Sequence, residues 1–222
     1  MDTFTCGTDT EEDDDMKILL IGATGMIGRR VADEARRRGH EVTGVTRSGA
    51  EGTAKADAHD ADAIAALAEG HDAVVLAVSP PRDGSEPEGP LLSAGRGALE
   101  GTRKAGVRRI VVVGGAGSLE AAPGLRHVDE PGFPEMYKAE SLAQAALLDL
   151  VRAEAGGLDW TYISPAQVIE PGERTGVFRL GGDQLLRDAS GDSRISAEDY
   201  AVALVDELEN GDAIGRRITV AY

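Results

Sequence analysis

Short runs that are apolar from end to end recur along this chain: MKILLIG (16–22), DAVVLAV (72–78) and RRIVVVGG (108–115). A strand with one face in water alternates apolar and polar residues, whereas a strand apolar throughout is buried on both faces. Helix-patterned segments lie between the runs. MIGRRVADEARRRG (26–39) carries Ile27, Val31 and Ala35 at helical spacing and stops at Gly39; DADAIAALAEG (60–70) opens at Asp60. EVTGVTR (41–47) and DWTYISPA (159–166) are read as further strands, and helices are expected over about 91–105 and from near Pro134. Fully buried strands alternating with helices specify a doubly wound α/β fold, a mostly parallel sheet with helices on both faces. Beyond residue 167 the pattern changes. GVFRLGG and DQLLRD read as short strands or a hairpin, SAEDYAVALVDELEN (196–210) as a capped amphipathic helix, and RRITVAY as a closing strand. No linker interrupts residues 16–222, so one domain with a small C-terminal elaboration is expected.

Charge separates residues 1–15 from the rest. That stretch holds seven acids and no base, within a chain of net charge −16, and reads as a disordered, solvated acidic tail. The acidic remainder argues against nucleic acid or an anionic membrane as a partner. No apolar run reaches membrane-spanning length and the N-terminus lacks a signal pattern, so the expected location is the cytoplasm. The single Cys6 excludes an internal disulfide, and His40, His59, His71 and His127 show no metal-ligand spacing. The expected partner is a small molecule, bound by a monomer or a homodimer.

GATGMIG places Gly22, Gly25 and Gly28 where the first strand meets the first helix. A second strand follows at βαβ distance, the context in which such glycines bind a dinucleotide. Gly22 permits the tight turn, Gly25 lets the backbone approach a pyrophosphate, and Gly28 lets the helix pack closely on the sheet. The helix N-terminus supplies free N–H groups and the positive end of its dipole. An NAD site carries an acid at the end of the second strand; here that place reads Thr46-Arg47-Ser48. An arginine there suits a 2′-phosphate, so NADP(H) is expected in preference to NAD(H), unless Arg47 only solvates the strand end. Arg29 and Arg30 read as surface helix residues.

KILLIGATGMIGRRV, DAVVLAVSPP, RRIVVVGGAGS and LDWTYISPAQVIEPGERTG together resemble the atypical short-chain dehydrogenase/reductase superfamily. The nearer likeness is to its small NAD(P)H-binding branch, with NADH-flavin reductases and relatives of biliverdin reductase B. The resemblance implies a seven-strand Rossmann-type sheet with the cofactor along the strand C-termini. It implies contacts from Gly22, Thr24, Gly25, Met26, Ile27 and Gly28 in the glycine turn. Asp57 is then expected near the adenine, Ala77, Val78 and Ser79 along the ribose and diphosphate, and Ser164, Pro165 and Ala166 against the nicotinamide carboxamide.

Classical members of that superfamily carry a Tyr and, four residues on, a Lys, so that both share one helix face. Here Tyr137 and Lys138 are adjacent, about 100° apart on a helix, and cannot both fill those places. With Lys138 in the lysine place, facing the ribose, Pro134 stands where the tyrosine would be. Tyr137 then either reaches the substrate from the helix start or merely packs. Ser118, just past the third apolar run, is the candidate for a substrate hydrogen bond, and His127 is placed to overhang the site. Loops 79–90 and 118–133 are expected to form an acceptor cleft. Hydride transfer to a flavin-, quinone- or tetrapyrrole-like acceptor needs no Tyr–Lys pair, and that reductase is the leading expectation. A non-catalytic NADP(H) sensor, or an isomerase, epimerase or biosynthetic enzyme on the same fold, stays open.

Overall fold

A computed structural model of the chain describes residues 15–50, 52–80 and 84–222. All of the expected acidic tail but Asp15 lies outside the described residues. The first half runs β1 (Lys17–Ile21), α1 (Met26–Arg37), β2 (Glu41–Thr46), β3 (Ala54–Lys55), α2 (Ala61–Ala68), β4 (Ala73–Leu76) and α3 (Glu88–Lys104). Next come β5 (Arg109–Val113), the small hairpin β6 (Glu120–Ala122) and β7 (Leu125–Arg126), a 3₁₀ turn (His127–Asp129) and α4 (Glu135–Glu154). The chain closes with β8 (Asp159–Pro165), β9 (Val168–Glu170), β10 (Arg179–Gly181), β11 (Arg194–Ser196), α5 (Ala197–Asn210) and β12 (Arg216–Ala221).

The main sheet has the order β3-β2-β1-β4-β5-β8-β12-β10. Seven strands are parallel, as expected; β10 adds an antiparallel eighth at the edge, pairing Arg179 with Ala221 and Gly181 with Thr219. This eighth strand corrects the expected seven. It falls within GVFRLGG, the stretch read as a short strand or hairpin, and what that stretch does not show is its pairing with the closing strand at the sheet edge. DQLLRD is not a strand. Gln184 makes one isolated bridge to Glu120, and Leu185 turns inward as a buried side chain.

The apolar runs are buried because each faces a helical layer on both sides. Alternate residues of one strand serve opposite faces. Leu19 and Ile21 join the layer built with α2, α3 and α4, while Ile18 and Leu20 join the layer built with α1 and α5. Each such side chain contributes roughly 1.5–3 kcal/mol when fully buried. The helix signals also fold as read: the Asp60 carboxylate caps α2, Ser196 caps α5, and Gly39 follows α1 at φ +101°.

After β8 the chain straps across α1 and α5 through polar contacts. Arg174 binds Glu34 of α1 at 2.8 Å, Gly172 N–H donates to Glu198, and Thr175 and Gly176 donate to the buried Asp199. Burial works against the charge of Asp199, but hydrogen bonds from Thr175, Gly176 and Tyr222 outweigh it and hold the carboxyl below its usual range.

Candidate functional site

The strand order reverses at β1, which pairs with β2 on one side and β4 on the other. Crevices of this kind, at the carboxyl ends of parallel strands, are where doubly wound folds bind ligands. The glycine turn sits in this one. Gly22 N–H donates to Val45 of β2 at 2.9 Å, while Ala77 N–H donates to Ile21 at 2.8 Å. Gly22 has φ +92°, and a Cβ there would stand 2.3 Å from the Ala77 carbonyl oxygen. A Cβ on Gly28 would stand 2.1 Å from the Gly22 carbonyl oxygen, so only glycine lets α1 lie so close to β1. Gly25 is the N-cap of α1 and supplies no side-chain cap; no acid stands in the first turn. The N–H groups of Met26, Ile27 and Gly28 precede the first intrahelical bond, Arg29 N–H to Gly25 at 3.1 Å. These groups form a cradle for an anion. Thr24 and Gly25 are exposed beside it.

On the β2 side of the crevice, Thr46 ties the loop after β2 together, its hydroxyl 2.8 Å from that of Thr53 and accepting from Gly49 and Ala50. Arg47 and Ser48 project from this braced turn, both exposed. Asp57 follows β3 and is exposed; its carboxylate accepts from His59 N–H at 3.1 Å and its carbonyl from Asp60 N–H at 3.0 Å. Thus Arg47 and Asp57 stand just past the C-terminal ends of the neighbouring strands β2 and β3.

At the other end, Ala77 is buried and Ser79 exposed as the chain leaves β4. Ser164 and Pro165 close β8, and Ala166 follows, all buried. Gly114 N–H donates to Ile163, so Ser164 lies just past the end of its neighbour β5. Its hydroxyl is fully buried and has no hydrogen-bond partner within the protein. A buried hydroxyl left unpaired is costly, and a polar ligand group or a bound water would satisfy it. The glycine cradle at one end and this orphaned hydroxyl at the other fit a nicotinamide dinucleotide lying along the strand ends. Below Ser164 the wall is core: a Cβ on Gly114 would meet the Tyr162 ring at 2.0 Å. Tyr162 donates to Gln144 at 2.8 Å, and burial pushes its phenol far up.

The chemical end departs further from the superfamily pattern. Pro134 is the N-cap of α4, so the place of the expected tyrosine precedes the helix and bears no hydroxyl. Tyr137 is 53% exposed in the first turn, and Lys138 is half-exposed with Glu135 at 3.8 Å. One turn beyond Lys138, Ser141 packs against the loop after β5, where a Cβ on Gly117 would meet it at 2.6 Å. Tyr137 and Lys138 therefore flank the stripe of α4 that faces this loop. Ser118 has a partner within the protein. Its Oγ accepts from Arg217 at 2.8 Å, and Arg217, almost wholly buried, also donates to Asp183 at 2.5 Å. Ser118 thus braces the loop against β12 and the turn after β10. His127 does not overhang the site. It is buried, with Nδ1 2.5 Å from Glu130 and its ring edge-on to Phe133, because the 3₁₀ turn folds it inward. Sequence reading missed Arg217 altogether; a charged residue inside an apolar closing strand was the one signal available. A cleft of about 360 Å³ between β10, β12 and α5, lined by Leu180, Asp206, Asn210 and Arg216, opens toward the start of β12, away from this crevice.

The family model described as NAD(P)H-binding matches residues 22–211, spanning the glycine turn to the end of α5. Three solved structures are similar throughout. A Burkholderia pseudomallei protein provisionally described as exported is 48% identical, with 93% of this chain and all of that one covered and a TM-score of 0.85. A Bacteroides thetaiotaomicron protein provisionally named an epimerase is 39% identical, with 94% and 97% covered and a TM-score of 0.84. A Streptococcus pneumoniae protein provisionally named an NADH-flavin reductase is 37% identical, with 93% and 99% covered and a TM-score of 0.77. No helix among the described residues is long and apolar enough to cross a membrane. With this crevice, its glycine cradle and these likenesses over nearly its whole length, the chain belongs to the NAD(P)H-binding family, on the atypical short-chain dehydrogenase/reductase branch of Rossmann proteins.

Proposed function

We propose that this protein is an NADPH-dependent reductase whose acceptor is a planar aromatic molecule of the flavin or quinone class. The observation that carries the reading is the head of α4. With Pro134 at the N-cap, no phenol stands four residues before Lys138, so the chain lacks the paired proton donor that carbonyl reduction uses. When bound, the nicotinamide supplies a hydride; the protein's part is to hold both partners in register. In this reading the N–H groups of Met26–Gly28 bind the diphosphate, Ser164 orients the carboxamide, and Lys138 binds the ribose. An acceptor that takes its proton from water needs nothing more than a surface beside them, and exposed Tyr137 and Met136 offer one. The name of the Streptococcus relative, an NADH-flavin reductase, supports the flavin-class acceptor.

NADPH in preference to NADH rests on Arg47, which stands where an NAD site carries an acid. The cytoplasm, where NADPH is maintained, is the proposed location. The test is NADPH oxidation followed at 340 nm against FMN, FAD and quinones, with Arg47→Ala beside the parent protein. Turnover on at least one acceptor is expected, with a loss of about 10- to 100-fold in NADPH affinity for the variant and little change for NADH. Tight NADPH binding without turnover on any of these acceptors makes the protein a sensor instead. An equal loss for both nucleotides removes the NADPH assignment.

A further inference from the structure

We propose that Arg29 is a second cation of the nucleotide's 2′-phosphate site, gripping that group from the α1 side while Arg47 grips it from the β2 side. The inference rests on the NADPH reading and adds a specificity residue to it.

Two consecutive arginines open the second turn of α1, near the positive end of the helix dipole, with no acid in the first turn. Cations there are unfavourably placed unless an anion joins them. Arg30 has one: its Nε lies 2.5 Å from Glu198, with a second guanidinium bond to Met26 carbonyl. Arg29 has no carboxylate partner among the described residues. Its guanidinium folds back over the glycine turn instead, donating to Thr24 carbonyl at 3.0 Å and to Gly25 carbonyl at 3.3 Å. These bonds fix its position and leave both its charge and an N–H edge available in an exposed side chain.

The flank of α1 that bears Arg29 settles which phosphate it serves. Arg36, two turns on and on the same flank, reaches the Val42 carbonyl of β2 at 3.4 Å. Arg29 therefore stands on the β2 side of α1, level with the glycine turn. That turn abuts the upper half of β2: Gly22 bonds Val45, and a Cβ on Gly44 would stand 2.8 Å from that of Ala23. Arg47 leaves β2 one residue past its end. The two arginines thus bracket the corner between the turn and the β2 terminus. The diphosphate has its own donors at Met26–Gly28, on the helix axis.

The test uses the full chain and calorimetric titration with 2′,5′-ADP, 5′-AMP, NADPH and NADH. Arg29→Ala and Arg29→Gln are examined beside Arg47→Ala, with thermal unfolding as the check that each variant is folded. Both Arg29 variants are expected to weaken 2′,5′-ADP and NADPH by about tenfold, the scale of one exposed charge-assisted contact, and to leave 5′-AMP and NADH within about twofold. An equal loss for NADPH and NADH would place Arg29 at the diphosphate and overturn the inference. Unchanged binding of all four would overturn it too. In either case a parent protein that prefers NADPH and loses the preference with Arg47→Ala keeps the NADPH reading intact. A parent protein that binds 5′-AMP as tightly as 2′,5′-ADP sinks the reading, and the inference with it.

Discussion

Replacing Gly28 by alanine sets helix propensity against packing, and the two predict opposite signs. In an exposed helix the change would stabilise by about 1 kcal/mol, because alanine is the better helix former. Here the new Cβ would lie 2.1 Å from the Gly22 carbonyl oxygen, 2.9 Å from its carbon and 3.1 Å from Ala23 Cα. The first distance falls short of ordinary contact by more than an ångström, and all three obstacles are backbone, so no side chain can swing aside. Helix α1 cannot simply retreat. Arg30 is bound to Glu198 at 2.5 Å, Arg38 to Asp206 at 2.8 Å, and Glu34 to Arg174 at 2.8 Å. Forced overpacking of this kind costs about 1–3 kcal/mol, and rigid obstacles put Gly28 at the upper end. Net of propensity, the loss is about 1–2 kcal/mol, or a fall of about 2–8 °C in Tm for a chain of this length. Thermal unfolding by circular dichroism, with urea midpoints at unchanged slope, measures it. A Tm that holds or rises would refute the close-packing account. Gly25→Ala is the paired control: its φ is −67° and its nearest obstacle lies at 3.3 Å. It should cost less than about 1 kcal/mol in stability while lowering dinucleotide affinity, because the methyl group crowds the phosphate cradle.

Acid should weaken the α1 strap. Arg174, against the opposing effect of burial and with help from Arg37 and Arg38, holds the Glu34 carboxyl far below the usual range. A lowered folded-state pKa gives stability that is complete above the unfolded value of about 4.3 and is lost as pH falls below it. Urea midpoints taken from about pH 6 down to about pH 3 should fall, and should fall less steeply in Glu34→Gln; parallel profiles would reject the assignment. Ser164→Ala deletes a buried hydroxyl that has no partner, so stability should hold within about 1 kcal/mol or rise. Dinucleotide affinity should drop severalfold in the same variant, and unchanged affinity would remove Ser164 from the site. Lys138→Ala should raise the Kd for the dinucleotide or lower turnover by about tenfold; unaltered kinetics would leave Lys138 a surface partner of Glu135.

What the sequence reveals about this fold follows from the range of the forces involved. The apolar runs, the caps at Asp60 and Ser196 and the glycine turn are local statements, each set by residues within a few positions, and each folds as read. Gly28 is legible because helix–strand packing at a βα turn depends on only seven residues. Arg47 is placed at a strand end by counting from the same turn. The outer wall of the site is different. Ser118 reads as a candidate for a substrate hydrogen bond, and its partner Arg217 lies 99 residues away on the closing strand. His127 reads as a loop residue, but its burial depends on Phe133 and on the 3₁₀ turn that seats it. Arg29 and Arg30 are adjacent in sequence and identical in type, and only the position of Glu198 on a distant helix distinguishes the neutralised cation from the available one. Local chemistry therefore announces the nucleotide end, which is built within one βαβ unit. The outer wall of the crevice is assembled from α4, the loop after β5 and the closing strand with the turn after β10, and its chemistry is decided by contacts that no short stretch contains.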